Sequence, residues 1–451
     1  MFTKVLIANR GEIAARIIRT CRELNIQTVA VYSEADQHAP FVKMADESYL
    51  IGKPRVNESY LNIDKILEAA ADSGAEAIHP GYGLLSENAA FAERVEQAGL
   101  TFIGPDAGVI AKMGDKIAAR AEMKQAGVPV VPGTEEAVGS VETAKAAAQT
   151  FGYPVMLKAA AGGGGIGMQA VHSDEELEKA FEGNSKRAKA FFGDGKMFIE
   201  KLIEEPRHIE IQVLADHHGH AVHLFERECS IQRRHQKVVE EAPSPFLSEK
   251  TRQEMGESAL KAVDSLNYTN AGTIEFLVDR NENYYFLEMN TRLQVEHPVT
   301  EEISGVDIVH QQLKIAAGEK LNIHQDDLHI NGHAIEVRVY AEDPNTFYPS
   351  PGTLSNMVLP EGPGIRHELA VESGSDVTPF YDPMIAKLVV HGNDRHQAVE
   401  RLTKALHTYE IEGIKCNLTM LKRIITHEKF HAGETTTSFI QNYYLPTLTN
   451  H

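Results

Sequence analysis

The chain has 451 residues, of which 42% are hydrophobic and 24% are charged. This composition is ordinary for a soluble globular protein with two or three domains. A formal net charge of −20 argues against nucleic acid and anionic membranes as partners. No apolar run approaches the roughly eighteen residues that cross a bilayer. The three cysteines, Cys21, Cys229 and Cys416, form neither a disulfide framework nor a zinc spacing, so we expect a cytoplasmic location.

The first 112 residues predict a parallel α/β domain. KVLIANRGEIAARIIRTCRELNIQTVAVYS has the pattern of a strand, a helix and a second strand, and the alternation continues as far as TFIG. We interpret KVLIA as the first strand of the fold, because Glu12 and the strand pattern argue against a removable presequence.

A smaller α+β segment follows, beginning near the Pro/Gly-rich junction 126–134 and ending near FIEKLIEEP. Its glycine run, GGGGIG at 162–167, lies between two predicted strands. The dinucleotide-binding fingerprint requires the glycines to open a helix, so we predict a flap over phosphates instead. The next helix is predicted to begin after Ser173 as N-cap, with Glu176 at N3, and to end at Gly183.

From residue 207 onward the chain predicts an antiparallel sheet. RHIEIQVLAD, HAVHLFERECS, GTIEFLVD and NYYFLEMN have strand patterns, and a helix precedes the last two. More strands follow after about residue 330, and a helix begins near residue 394.

The stretch FLEMNTRLQVEHP has the highest density of side chains that could bind a ligand or take part in catalysis. If it is one strand, its polar face presents Glu288, Asn290, Arg292, Gln294 and Glu296. Pairing of Asp279 with Tyr284 across the preceding loop would place Glu275 opposite Glu288, and two such carboxylates repel unless a cation lies between them. With Asn290 they predict a Mg²⁺ or Mn²⁺ site rather than a zinc site. The alternative is a solvated strand face with cross-strand ion pairs.

Other charged residues allow two interpretations. Arg292 fits a small planar oxyanion and Glu296 a base, but the two side chains could equally form a salt bridge with each other. Lys158, in the apolar stretch YPVMLK, predicts an anionic partner, with a surface lysine as the alternative. QRRHQK supplies local positive charge, either as an anion site or as an exposed loop with ion pairs.

These stretches together resemble the biotin carboxylases of the ATP-grasp superfamily. The resemblance rests on KVLIANRGEIAARIIR, HPGYGLLSEN, MGDK, the glycine flap, FIEKLIEEPRHIEIQVLAD, QRRHQKVVEEAPSP and FLEMNTRLQVEHPVTE, and it extends from residue 3 to about 445. It implies an α/β and α+β fold with three domains. These are a Rossmann-like N-terminal domain over 1–112, an ATP-grasp domain over 113–330 with a mobile lid at about 130–203, and an antiparallel β-rich C-terminal domain over 331–446.

The resemblance also implies residue roles. Nucleotide-binding residues are Lys116, Lys158, Gly164, Gly165, Glu200, Lys201, Ile203, His208, Gln232, His235 and Leu277. Metal ligands are Glu275, Glu288 and Asn290, and bicarbonate ligands are Lys237, Arg292, Gln294 and the backbone of Val295. Glu296 deprotonates bicarbonate, and Arg338 binds biotin and stabilises its enolate-like charge. Ile166 departs from the pattern, since many family members carry a basic residue there.

The implied activity is ATP- and bicarbonate-dependent carboxylation of biotin through carboxyphosphate, the first half-reaction of an acyl-CoA carboxylase. The cofactors are ATP and Mg²⁺ or Mn²⁺. No biotinylation motif occurs, so we expect biotin on a separate biotin carboxyl carrier protein, with carboxyltransferase subunits as further partners and a homodimeric enzyme. Two alternatives stay open: another ATP-grasp ligase that uses an amine, and a nucleotide-sensing subunit that has lost its chemistry.

Overall fold

The N-terminal part of the chain forms a five-stranded parallel sheet. The structure is a computed structural model that describes residues 1–159, 168–192 and 195–448. The strand order is β3-β2-β1-β4-β5. The strands are β1 Lys4–Ile7, β2 Gln27–Ser33, β3 Glu47–Gly52, β4 Ala77–His79 and β5 Thr101–Phe102. The helices are α1 Gly11–Glu23, α2 Pro40–Met44, α3 Ile63–Ser73, α4 Ala89–Gln97 and α5 Ala107–Gly114. Val5, Leu6 and Ile7 are all buried, as expected for a strand with both faces of its sheet covered.

The next segment contains a small antiparallel sheet of order β7-β6-β8. Its elements are α6 Lys116–Gln125, α7 Val141–Phe151, β6 Val155–Ala159, β7 Met168–Val171, α8 Asp174–Phe192 and β8 Met197–Lys201. Helix α8 begins as predicted, with Ser173 Oγ accepting from the Glu176 N–H at 3.3 Å. The predicted end at Gly183 was wrong. The helix continues because Leu177, Ala180 and Ala188 bury one face against this small sheet, and that burial outweighs the roughly 1 kcal/mol penalty of an interior glycine.

An eight-stranded antiparallel sheet forms the centre of the molecule, in the order β13-β12-β9-β10-β11-β14-β19-β17. Its first strands are β9 Arg207–Ala215, β10 Ala221–Arg233, β11 Gln236–Ala242, β12 Asn270–Val278 and β13 Tyr284–Asn290. Helix α9 Glu249–Leu266 packs on β9 and β10, and α10 His297–Ser304 and α11 Ile308–Ala316 follow β13. The sheet continues across residue 330, because β11 pairs with β14.

The remaining elements complete the C-terminal part. The strands are β14 His333–Tyr340, β15 Gly352–Thr353, β16 Asn356–Val358, β17 Ile365–Leu369, β18 Asp376–Val377, β19 Met384–Gly392 and β20 Glu410–Glu412. The helices are α12 Arg395–Thr408, α13 Leu418–Ile425, α14 Glu428–His431, a π-helix Ile440–Tyr444 and α15 Leu445–Leu448. Helix α12, predicted to begin near residue 394, packs on the sheet through Ala398, Leu402, Ala405 and Leu406. In the described part of the chain, no helix combines the length and apolarity needed to cross a membrane.

The stretch after β13 is a loop, so the prediction of one long strand was wrong. The strand ends at Asn290, and α10 begins at His297 with Pro298 in its first turn. Proline favours the first turn of a helix, where its missing N–H loses no hydrogen bond. Gln294 and Glu296 therefore reach the site from a loop that turns into a helix.

Candidate active site

The β12–β13 hairpin places two carboxylates opposite each other. Glu275 pairs with Glu288, as the sequence predicted. The assumed register near the turn was wrong by one residue, because Tyr284 pairs with Val278. A bulge at Leu287, between the Phe276–Phe286 and Glu275–Glu288 pairs, restores the predicted facing pair.

The surroundings of this pair fit a hard divalent cation. Glu275 is buried, and Asn290 Nδ2 donates to its Oε1 at 2.8 Å. His208 Nε2 lies 3.0 Å from Glu275 Oε2. Burial, and after it the charge of Glu275, raises the pKa of Glu288. Two carboxylates and an amide oxygen are the donor set that Mg²⁺ and Mn²⁺ prefer, and a cation there would remove the repulsion.

Lys237 connects the carboxylate pair to the predicted base. Its Nζ lies 2.9 Å from Glu275 Oε1, 2.6 Å from Glu210 Oε2 and 2.6 Å from Glu296 Oε1. Burial alone would lower the pKa of this ammonium, but the three glutamates raise it well above its ordinary value. Lys237 therefore stays positively charged, between the predicted metal ligand Glu275 and the predicted base Glu296.

Glu296 is buried between two cations. Besides Lys237, the Arg338 guanidinium lies 2.9 Å from its Oε2. Burial would raise the pKa of Glu296, but the charges of Lys237, Arg338 and Arg227 lower it well below the ordinary value. The carboxylate is thus held ionised, in the form that accepts a proton.

Arg292 forms a different ion pair from the one considered in the sequence. Its Nε lies 3.0 Å from Glu87 Oε2, and another guanidinium nitrogen donates to Asn290 Oδ1 at 2.7 Å. The proposed salt bridge between Arg292 and Glu296 was therefore wrong, because Glu296 pairs with Lys237 and Arg338. Gln294 turns toward the carboxylate pair, donating from Nε2 to Glu275 Oε1 at 2.8 Å.

Arg338 forms ion pairs with two glutamates, Glu240 and Glu296. Its Nε donates to Glu240 Oε1 at 2.6 Å, in addition to the contact with Glu296. Burial raises the pKa of Glu240 to about 7, although Arg338 opposes the shift. Although burial would lower it, the neighbouring carboxylates raise the pKa of the buried Arg338 guanidinium, so it remains charged, and Arg338 is about 9% exposed.

The predicted nucleotide residues lie mainly on the small sheet and on β9 and β10. Lys158 of β6 forms an ion pair with Glu200 of β8. His208 Nδ1 and Gln232 Nε2 are 2.9 Å apart. Lys201 Nζ donates to the Gly152 carbonyl at 2.7 Å.

The other predicted nucleotide residues lie on different elements. Lys116, the first residue of α6, lines a cavity of about 170 Å³ together with Glu288 and Asn290. Ile203 and Leu277 are half-buried, whereas His235 is exposed in the turn between β10 and β11. Gly164 and Gly165, with Ile166, lie outside the described residues.

The sequence reasoning missed five residues that hold this site together: Glu87, Glu210, Arg227, Glu240 and Lys387. Arg227 is fully buried, donates from Nε to Glu210 Oε1 at 2.6 Å and also donates to Gln294 Oε1. Period-two alternation in RHIEIQ would have placed Glu210 beside His208 on one strand face. Lys387, a single lysine in the apolar stretch MIAKLVV, carries the same signal that selected Lys158.

Comparison with known proteins matches the chain in three consecutive segments. Residues 1–110 match the biotin carboxylase N-terminal domain, residues 115–324 the ATP-binding domain of the carbamoyl-phosphate synthase L chain, and residues 336–442 the biotin carboxylase C-terminal domain. Biotin carboxylase of Halalkalibacterium halodurans is 64% identical over 98% of each chain. Biotin carboxylase 2 of Bacillus subtilis is 62% identical over 98% of this chain and all of that protein.

Solved structures show the same likeness. The biotin carboxylase domain dimer of Hydrogenobacter thermophilus 2-oxoglutarate carboxylase, in complex with MgADP, ADP and bicarbonate, is 50% identical. It matches with a TM-score of 0.91 over 100% of this chain and 99% of that one. A bicarbonate-bound biotin carboxylase domain of a thermophilic 2-oxoglutarate carboxylase matches with a TM-score of 0.95 at 48% identity, over the whole of both chains.

Proposed function

Because this chain belongs to the biotin carboxylase family, we propose that it carboxylates biotin with ATP and bicarbonate through the residues gathered around Lys237. The observation that carries the assignment is the position of Lys237. The Lys237 ammonium lies within 2.9 Å of two carboxylates. These belong to Glu275, a proposed metal ligand, and Glu296, the proposed base. A bicarbonate bound beside Lys237 would thus meet the phosphate end of the nucleotide and a proton acceptor together.

Each bicarbonate ligand has a role in this proposal. Lys237 and Arg292 supply positive charge for the anion, and Gln294 and the backbone of Val295 supply hydrogen bonds. An anion that draws Lys237 and Arg338 away from Glu296 raises the basicity of that carboxylate, which then takes the bicarbonate proton. The oxygen of bicarbonate attacks the γ-phosphorus of ATP, the bond to the β-phosphate oxygen breaks, and ADP and carboxyphosphate form.

The nucleotide and its metal are held by neighbouring elements. Glu275, Glu288 and Asn290 would hold Mg²⁺ or Mn²⁺, which offsets the charge of the phosphates when bound. Lys116, Lys158 and His208 would contact the nucleotide, and Gly164 and Gly165 belong to the flap that would cover its phosphates. The adenine would lie between the β8 side, with Glu200, Lys201 and Ile203, and the β9–β12 side, with Gln232, His235 and Leu277.

Biotin reacts at the Arg338 side of the site. Carboxyphosphate releases CO2 and phosphate, the biotin ureido nitrogen loses its proton to that phosphate, and the nitrogen then attacks the CO2 carbon. Arg338 offsets the negative charge that this loss leaves on the ureido oxygen. Because water destroys carboxyphosphate, we propose that the lid at about 130–203 closes during this step.

The wider assembly is also part of the proposal. Biotin arrives on a biotin carboxyl carrier protein, and carboxyltransferase subunits consume the carboxylated product in the cytoplasm. We propose a homodimer, supported by the dimeric form of the related Hydrogenobacter structure. We further propose domains over 1–112, 113–330 and 331–446, which the three family matches support.

The test is ADP release from the purified protein with ATP, Mg²⁺, bicarbonate and free biotin. We expect hydrolysis that requires bicarbonate and rises with biotin, together with carboxybiotin formation. Arg338→Ala should bind ATP normally and form no carboxybiotin. Turnover that ignores biotin but follows an added amine would overturn the proposal in favour of another ATP-grasp ligase.

A further inference from the structure

Lys387 is a fully buried lysine directly behind the bicarbonate loop. It lies on β19 with 0% exposure, and its Nζ donates to the Val295 carbonyl. Val295 belongs to the loop between β13 and α10 and has been assigned above to bicarbonate through its backbone. A buried ammonium is unfavourable unless charges and acceptors surround it, so its placement at this carbonyl requires an explanation.

The ammonium joins three distant parts of the chain. Glu12 Oε1, at the start of α1, lies 3.3 Å from Nζ, and Glu336 Oε2, on β14, lies 4.0 Å away. Glu12 also accepts a hydrogen bond from the Tyr82 hydroxyl, which stabilises its negative charge in addition to Lys387. Glu12, the nearer carboxylate, offsets the positive charge, whereas burial raises the pKa of Glu336 well above its ordinary value and weakens it as a counterion. The Val295 carbonyl provides the hydrogen bond into the loop.

The bond to Val295 has an electrostatic consequence for the loop. The carbonyl oxygen of the preceding residue, Gln294, also has partners within the protein. It lies 2.8 Å from His297 Nδ1 and accepts a hydrogen bond from the His297 N–H at 3.3 Å. Two consecutive carbonyl oxygens therefore have partners inside the protein. An anion site needs this arrangement, because a carbonyl dipole facing bicarbonate would repel it.

We propose that Lys387 is a positioning residue for bicarbonate binding. By holding the Val295 carbonyl inward, it keeps the Val295–Glu296 peptide oriented, with the Glu296 side chain toward Lys237 and Arg338. It touches neither bicarbonate nor nucleotide and acts through the loop. This inference rests on the proposed function, because the proposed function is what assigns the loop with Val295 to bicarbonate binding.

The test is the double substitution Lys387→Met with Glu12→Gln, which removes a buried cation and its nearest buried carboxylate together. Loss of a charge-assisted hydrogen bond is equivalent to about tenfold or more in binding. We expect the KM for bicarbonate to rise by about that factor, whereas the KM for ATP changes by less than about twofold. Glu12→Gln alone keeps the bond to Val295 and should keep the wild-type KM for bicarbonate.

A second control separates positioning from general destabilisation. Lys4 of β1 has similar partners, the Ser73 carbonyl at 2.8 Å and Glu47 Oε1 at 2.6 Å, but lies in the N-terminal sheet. Lys4→Met should lower the unfolding temperature and leave the KM for bicarbonate unchanged. If the double variant does not fold, Lys387→Gln in the Glu12→Gln background retains a neutral donor and is measured in its place.

The possible outcomes separate this inference from the function itself. An unchanged KM for bicarbonate in the folded double variant would overturn the role of Lys387 while the wild-type activity stands. Equal increases in both KM values would also overturn it, since they would indicate a general loss of structure. A wild-type protein without bicarbonate-dependent hydrolysis would instead contradict the proposed function.

Discussion

Glu275 of β12 faces Glu288 of β13, but the two carboxylates lie in different electrostatic environments. Lys237 Nζ lies 2.9 Å from Glu275, and although burial would raise the pKa of that carboxyl, Lys237 and His208 lower it far below its ordinary value. The pKa of Glu288 is raised instead, first by burial and second by the charge of Glu275. The pair thus has one firmly ionised carboxylate and one that gains most from an added cation.

The first prediction concerns Glu288→Gln. Opposed like charges on a sheet destabilise it by about 0.2–1 kcal/mol, so the variant should unfold at a slightly higher temperature than the wild type without metal. It should lose most of the additional stabilisation that Mg²⁺ and ADP together give the wild type, because a carboxylate ligand is missing. Differential scanning calorimetry at neutral pH, with and without MgADP, measures both effects.

Glu257→Gln is the matched control for this experiment. Glu257 is an exposed glutamate of α9, so its substitution removes one negative charge away from the site. It should respond to MgADP as the wild type does. An undiminished MgADP shift in Glu288→Gln would remove that residue from the metal site.

The facing pair was predictable because it depends on the sequence alternation of one hairpin. Glu275 and Glu288 fall on one face of two adjacent strands, and the sheet satisfies this pattern even though the turn register differs from the assumed one. The bulge at Leu287 absorbs the difference. Leu287 is 40% exposed, so shifting it by one position leaves no hole in the core.

The loop from 291 to 296 was not predictable from the same alternation. Its polar residues recur at every second position, as in a strand, but Pro298 starts a helix and ends the sheet before them. Residues from elsewhere then supply the partners of the loop. Arg227 reaches Gln294, and Lys387 reaches Val295, over more than 60 positions of sequence, which local patterns do not encode.

The second prediction concerns Glu296→Gln. The amide cannot accept the bicarbonate proton, and loss of a general base lowers a rate by about 10²–10⁴-fold. Bicarbonate-dependent ADP release should fall within this range. Nucleotide affinity, measured by calorimetric titration with ADP, should stay near the wild-type value because Glu296 contacts Lys237 and Arg338 rather than the nucleotide residues. ADP release within a factor of about two of the wild type would exclude Glu296 as the base.

The third prediction distinguishes two lysines of the small sheet segment. Lys158 of β6 pairs with Glu200, and Lys145 of α7 pairs with Glu178 at 2.7 Å. Lys158→Gln should weaken ATP binding by about tenfold, since a lysine–phosphate contact is a charge-assisted hydrogen bond. Lys145→Gln should leave it unchanged, although each variant loses one lysine–glutamate pair. Equal affinities for ATP in the two variants would show that Lys158 serves only its ion pair.

The fourth prediction uses two adjacent glutamates whose pKa values shift in opposite directions. Burial raises the pKa of Glu240 to about 7, against the attraction of Arg338. Burial acts on Glu241 in the same sense, but His333 and Arg395 lower its pKa to about 2. One strand, β11, therefore carries two buried carboxyl groups that titrate on either side of the ordinary value of 4.5.

The two groups should leave opposite signatures in the pH dependence of the free energy of unfolding. The folded protein binds the Glu240 proton more tightly than the unfolded chain does, so the stability from this group is full below pH 4.5 and is lost as the pH rises to about 7. The stability from Glu241 is full above pH 4.5 and is lost as the pH falls to about 2.

Urea unfolding of the wild type, Glu240→Gln and Glu241→Gln across pH 2–8 measures both contributions as differences. The wild type should lose stability relative to Glu240→Gln only between pH 4.5 and 7, and relative to Glu241→Gln only below 4.5. Parallel curves for the wild type and Glu240→Gln would mean that Glu240 titrates in the folded protein as it does in the unfolded chain. Glu240 would then be ionised at neutral pH, and Arg338 would face two full negative charges rather than one before biotin arrives.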